Sequence, residues 1–120
     1  MSSSNSIGKL GELLASTHLL QSGFKILERN WRFGKKEIDI IAEKERLTVF
    51  VEVKTREHHL PERLEEIIPR KKQRHIILAA NEYIRLREVV NEARFDVIAI
   101  VLNAGNHEIE HIEEAFYPTL

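Results

Sequence analysis

Between Glu37 and Arg56 the chain reads E-I-D-I-I-A-E-K-E-R-L-T-V-F-V-E-V-K-T-R, two apolar β-type runs with acids and a base set inside them. Side chains of a strand alternate between faces. Across Leu47 to Lys54 this puts Val49, Val51 and Val53 on one face and Phe50, Glu52 and Lys54 on the other. Across Glu37 to Ala42 it puts Ile38, Ile40 and Ala42 on one face and Glu37, Asp39 and Ile41 on the other. If the short E-K-E-R segment turns the chain back, the runs pair as a hairpin and Asp39 lies near Glu52. A carboxylate buried without a partner costs several kcal/mol, so the two acids need a metal, a cation or water.

A hard divalent cation with Lys54 beside it satisfies all three charges. Mg²⁺ suits the pattern because it takes one or two carboxylates, keeps several waters and is completed by substrate phosphate. Such a site can polarise a phosphodiester and lower the pKa of a bound water. The competing reading from spacing alone is a surface hairpin with solvated ion pairs.

At 120 residues the chain is expected to form one domain, residues 7–120 behind a flexible tail of residues 1–6, with a core that needs no disulfide. It has no cysteine, which excludes disulfides and thiolate metal sites. Its longest apolar run, Val97 to Leu102, is too short to span a bilayer, and M-S-S-S-N-S lacks the features of a secretion signal. A soluble cytoplasmic protein is therefore the expectation. The net charge of −1 argues against broad non-specific nucleic-acid binding. Local clusters carry more information: Arg29, Arg32, Lys35 and Lys36 bracket the approach to Asp39, and Arg70, Lys71, Lys72 and Arg74 open a later helix. A phosphate backbone approached from one side would fit them, as would an ordinary solvated face.

Ile7 to Gln21 has helical spacing through Ile7, Leu10, Leu14 and His18 or Leu19, with Ser6 as cap and Gly23 as stop. Glu12 shares a neighbouring stripe with Gly8, Ala15 and Leu19; it either reaches a site on the sheet or is an ordinary exposed helix acid. Phe24 to Trp31 reads as a strand, with Phe24, Ile26 and Glu28 opposite Lys25, Leu27 and Arg29. A turn at Gly34 leads into the hairpin. After Arg56 comes a loop with a helical turn near Glu62 to Ile67, then a helix from Pro69 to Arg87 with Ile76, Ile77, Ala80, Tyr83 and Ile84 as its apolar stripe. Lys72 lies on that stripe, directed along the sheet or snorkelling from the core edge. Arg94 to Leu102 is a central strand, Asn103 to Asn106 a turn, and Glu108 to Ile112 an edge strand. Of the six histidines, His58 and His59 are adjacent in a loop and His107 and His111 are four apart in a strand; neither arrangement has metal-ligand spacing, so they are assigned to surface and loop. The fold expected is α/β, of order α-β-β-β-α-β-β, a mixed sheet flanked by helices.

Several blocks carry a resemblance: G-x-x-G-E-x-x-A from Gly8 to Ala15, R-N-W-R from Arg29, E-I-D-I-I-A from Glu37, V-F-V-E-V-K-T-R from Val49, Lys72 ahead of A-x-x-Y-I, R-F-D-V from Arg94, and A-F at Ala115 and Phe116. Together they resemble the YraN-type family of small bacterial proteins, in the PD-(D/E)XK nuclease superfamily and similar to archaeal Holliday-junction resolvases. The resemblance implies a restriction-endonuclease-like fold. It implies metal binding by Asp39, Glu52 and the main-chain carbonyl of Val53, a catalytic role for Lys54, and an accessory acid at Glu12. It also implies a basic position at Lys72. Two departures stand out: Lys36 replaces the glycine usual before E-I-D, and the loop after Arg56 lacks the glycine common there.

From these readings the expected activity is metal-dependent hydrolysis of DNA phosphodiesters, branched and single-stranded forms included, with Mg²⁺ or Mn²⁺ as cofactor. Arg32, Lys36, Arg56 and Lys72 are the expected phosphate contacts. The alternative is a non-cutting nucleic-acid-binding or assembly module on a nuclease fold. A homodimer would let two sites address both strands of a duplex, though no motif encodes one.

Overall fold

A computed structural model describes residues 3–118 of the chain, with side chains from Ser6 onward. The elements run α1 (Ser3–Gln21), β1 (Lys25–Phe33), β2 (Lys36–Lys44), β3 (Leu47–Glu57), α2 (Leu64–Ile67), α3 (Arg70–Arg87), β4 (Glu92–Asn103) and β5 (Asn106–Phe116). The strands form one sheet in the order β1-β2-β3-β4-β5. Only β3 and β4 are parallel, from Leu47↔Glu92 to Glu57↔Leu102; the other neighbours are antiparallel. Parallel neighbours need a long crossover, which α2 and α3 supply. The restriction-endonuclease-like order expected from the sequence, with its short extra turn α2, is the order found. Among the described residues no helix is long and apolar enough to cross a membrane.

Each face of the sheet has its own core. On the α3 face Ile38, Ile41, Phe50, Phe95 and Val97 pack with Ile76, Ala79, Ala80 and Tyr83. On the α1 face Ile40, Ala42, Val49, Val51, Ile98 and Ile100 pack with Ala15 and Leu19. β4 is buried from Phe95 to Val101 because both faces are covered, as its unbroken apolar run predicts.

Helix α1 begins at Ser3, so Ser6 sits inside it and not at its cap; of the residues read as a tail, Met1 and Ser2 lie outside the described ones. The stripe that meets the sheet is Gly11, Ala15 and Leu19, whereas Leu10 is 42% exposed. Small residues at Gly11 and Ala15 allow the closer approach and Leu19 fills the wider end, while Leu10, Leu13 and Leu20 stay exposed. Gly23, at φ 93°, ends the helix as expected: Phe24 N–H donates to Leu19 O at 2.9 Å and Gly23 N–H to Leu20 O at 3.1 Å.

Two strands depart from simple alternation. In β1 the register slips between Ile26↔Ala42 and Glu28↔Ile41, leaving Leu27 unpaired. That bulge sends Glu28 to the α3 face, where it meets Arg87 at 3.4 Å, and not to the face of Ile26. In β2, Ile38 packs with Ile41 on the α3 face while Ile40 and Ala42 face α1. The expected grouping of Ile38 with Ile40 fails at Asp39, where the ladder to β3 has ended at Ile40↔Val51. In β3 the expected alternation holds, with Val49, Val51 and Val53 towards α1 and Phe50 towards α3.

Candidate metal and phosphate site

Where β2 parts from β3, a side chain continues the ladder: Val53 N–H donates to Asp39 Oδ2 at 2.8 Å. The hairpin, turned at Glu45 with φ 56°, therefore brings Asp39 and Glu52 together as the E-K-E-R turn predicts. Glu52 is 4% exposed. Its nearest cations are Lys54 Nζ at 3.9 Å and Lys72 Nζ at 4.0 Å from Oε2, close enough for charge attraction and too long for hydrogen bonds. The other oxygen, Oε1, is buried without any hydrogen-bond partner among the described residues.

A cavity of about 450 Å³ opens here, lined by Glu12, Asp39, Glu52, Val53, Lys54 and Arg56 among others. Six of the residues singled out from the sequence thus meet at one place. Lys72 joins from the first turn of α3, its amine directed towards the sheet. Arg32 and Lys36 do not line this cavity. Arg32 is bound to Glu37 across the β1–β2 pair at 2.9 Å, and Lys36 lies near His75 on the α3 side, where it joins Lys71, Lys72 and Arg74 in holding that imidazole's pKa down after burial.

Electrostatics mark the same spot. Burial first, then the charge of Glu52 and the close approach of its carboxyl, which favours a proton shared between the two acids, push the Asp39 carboxyl up to about 8, against the pull of the Val53 N–H and Lys72. Glu12 is also raised, by burial and then by Asp39, with the Asn30 side chain opposing. Asn30 has φ 53°, a left-handed conformation that asparagine tolerates, so this turn of β1 faces the acid from the strand side. Sequence reading passed over Asn30 and Thr55; the N-W pair at Asn30 and the place of Thr55 on the Val53 face were the available signals.

Two adjacent acids that resist ionising together and one orphaned carboxylate oxygen fit a divalent cation. Among the described residues no three His, Cys, Asp or Glu side chains converge as a complete ligand set. A sparse pair of carboxylates is what Mg²⁺ accepts, since water and phosphate fill its remaining positions. A bigger cavity, about 880 Å³, lies at the far end of the sheet around Lys44 to Leu47 and Val90 to Arg94, away from these groups.

The surface assignment of His111 needs correcting. His111 Nε2 lies 2.7 Å from Asp96 Oδ2 and its Nδ1 lies 3.0 Å from His18 Nε2, so these two rings are partly buried and not at a free surface. Asp96 is fully buried and also takes Arg94 Nε and Nη2, each at 2.8 Å, and Glu114 N–H at 3.0 Å. Burial would raise its carboxyl; His111, Arg94 and the Glu114 N–H more than offset this and hold it below the usual range. Proximity in space, not spacing in sequence, made this cluster, which is why a search for ligand spacing missed it.

Comparison with known proteins agrees with the motif reading. A protein of Bacteroides thetaiotaomicron, "UPF0102 protein", is 42% identical over 120 residues, covering 100% of this chain and 99% of its own. One from Flavobacterium johnsoniae with the same description is 44% identical, covering 98% of each chain. Among solved structures, Pyrococcus furiosus SfsA in complex with Ca²⁺ aligns at TM-score 0.35 and 16% identity over 92% of this chain and 63% of that one, a likeness too slight to carry an argument. Residues 11–100 match the profile described as "Uncharacterised protein family UPF0102". The chain belongs to the UPF0102 family, the YraN-type family with a PD-(D/E)XK-like fold.

Proposed function

We propose that the chain is a metal-dependent nuclease that hydrolyses DNA phosphodiesters at the Asp39–Glu52 site. The observation that carries this reading is the buried, unpartnered Oε1 of Glu52 beside a second carboxylate and two lysines. Asp39, Glu52 and the carbonyl of Val53 would hold Mg²⁺ or Mn²⁺. When bound, such an ion polarises the phosphodiester, promotes deprotonation of a water and neutralises charge on the phosphate.

The protein's own groups do the rest. Asp39 is fixed in place by the Val53 N–H, and Glu52 by the rigid central strand that carries it. Lys54 extends from the same strand two residues on and supplies a positive charge for the attacking or equatorial oxygen. Lys72 approaches from α3 and Arg56 from the end of β3, so the backbone phosphates meet cations from two sides. Glu12 faces Asp39 from α1 and suits an outer position that orders water.

The test is cleavage of labelled linear duplex, single-stranded, flap and four-way-junction DNA with Mg²⁺ or Mn²⁺. Cutting should need the ion and vanish in Glu52→Ala. Lys54→Met should lower turnover at least a hundredfold while metal affinity changes little. Full activity in K54M would remove Lys54 from the chemistry. Salt-sensitive DNA binding that E52A leaves unchanged, with no cutting of any substrate, would make the fold a binding module instead.

A further inference from the structure

Helix α1 and strand β3 approach each other more closely at one point than ordinary side chains allow. A Cβ built on Gly11 would lie 1.8 Å from Thr55 Oγ1, 3.1 Å from its Cβ and 3.4 Å from its Cγ2. Gly8, one turn earlier on the same helix, has nothing within 4 Å of such an atom. The need for glycine is therefore local to Gly11. Both partners in the contact adjoin a residue of the site: Gly11 precedes Glu12, and Thr55 follows Lys54.

We infer that the Gly11–Thr55 contact is a positioning device that sets the distance from Glu12 to the Asp39–Glu52 pair, and so tunes how tightly the site holds its cation. The inference rests on the metal-binding reading above. Glu12 has no hydrogen bond to either acid; the Asn30 side chain reaches it from β1, and the rest of its placement comes from the helix backbone that carries it. An added methyl at Gly11 must move from 1.8 Å to at least 3.0 Å from its neighbour. Turning Thr55 about χ1 offers partial relief, since its Cβ remains at 3.1 Å. The remainder falls on the helix, and a helix lifted from β3 carries Glu12 away from Asp39. Groups that orient a metal's water or ligands are sensitive to shifts of this size, and losing one weakens binding roughly 10- to 100-fold.

The experiment titrates Mn²⁺ into the full chain and reads affinity by calorimetry, with folding checked by circular dichroism. Gly11→Ala should weaken binding about tenfold. Adding Thr55→Ala, which removes the atom at 1.8 Å, should restore binding to within about threefold. In a Glu12→Ala background, Gly11→Ala should cause no further loss, because the residue it positions is gone. Unchanged affinity in G11A overturns the inference and leaves the metal site standing, as does a full additional loss in the Glu12→Ala background. No Mn²⁺ binding by the unsubstituted chain would overturn the metal reading itself and this inference with it. If G11A does not fold, the G11A/T55A double variant decides: restored binding supports the device, and tenfold weaker binding in a folded double variant refutes it.

Discussion

Asp39 is stabilised more by a proton than by charge in the metal-free fold, and that has a sign. Its folded pKa of about 8 stands above the ordinary 3.8, so its favourable contribution is complete below pH 3.8 and is lost as pH rises to about 8. Asp39→Asn keeps an oxygen for the Val53 N–H and removes the titration. Urea unfolding in chelator at pH 5 and pH 8.5 should show the variant gaining on the unsubstituted chain by on the order of a few kcal/mol at the higher pH. Mn²⁺ should remove most of that gain. Asp96 behaves oppositely. Asp96→Ala would leave the mostly buried Arg94 without its main partner and should cost about 3 kcal/mol by the same measurement. Residue by residue, the acid pair and its lysine were legible in the sequence because charges in apolar strands stand out. Asp96 was not, since its partners come from β4, the β5 bulge and, through His111, the end of α1.

Elements were legible where period and punctuation agreed. Gly23, Gly34 and the Asn103–Asn106 turn fell where the sequence indicates, the last with Ala104 and Gly105 both at positive φ as a tight hairpin requires. The bulge at Leu27 and the change of face at Asp39 carry no local signal, because each depends on what the neighbouring strand offers. β5 runs to Phe116 and not to Ile112; its register slips opposite Asp96, and the acidic residues there hide the strand pattern. One helix end is imperfect. Glu88 closes α3 in the left-handed region at φ 50°, with Val89 N–H donating to Ile84 O at 3.0 Å, a place that favours glycine. Glu88→Gly should raise stability by about 0.5 to 1 kcal/mol, read as a higher urea midpoint with an unchanged slope.

Across the whole molecule, the groups brought to the site come from the first part of the chain, Glu12 through Lys72, while β4 and β5 build its support. The fold class was legible because the order of elements was, and a helix between parallel neighbours leaves few topologies. β1, β2 and β3 are joined by tight turns, but β3 meets β4 only after the α2–α3 crossover closes, pairing Leu47 with Glu92. Long-range pairing of this kind sets the pace of folding. The hairpin holding Asp39 and Glu52 can thus form while still hydrated, and the final drying of the acids is expected only as α1 and α3 complete their packing over them, after β4 has paired. Repulsion between them then weighs on the native state more than on the barrier leading to it. Stopped-flow measurements in chelator should find unfolding faster at pH 8.5 than at pH 5, with the refolding rate nearly unchanged. A refolding rate that absorbs the pH effect would mean that the acids are buried before the barrier is crossed. On the expected outcome, the cation acts chiefly as a brake on unfolding, and the chain reaches its fold without waiting for it.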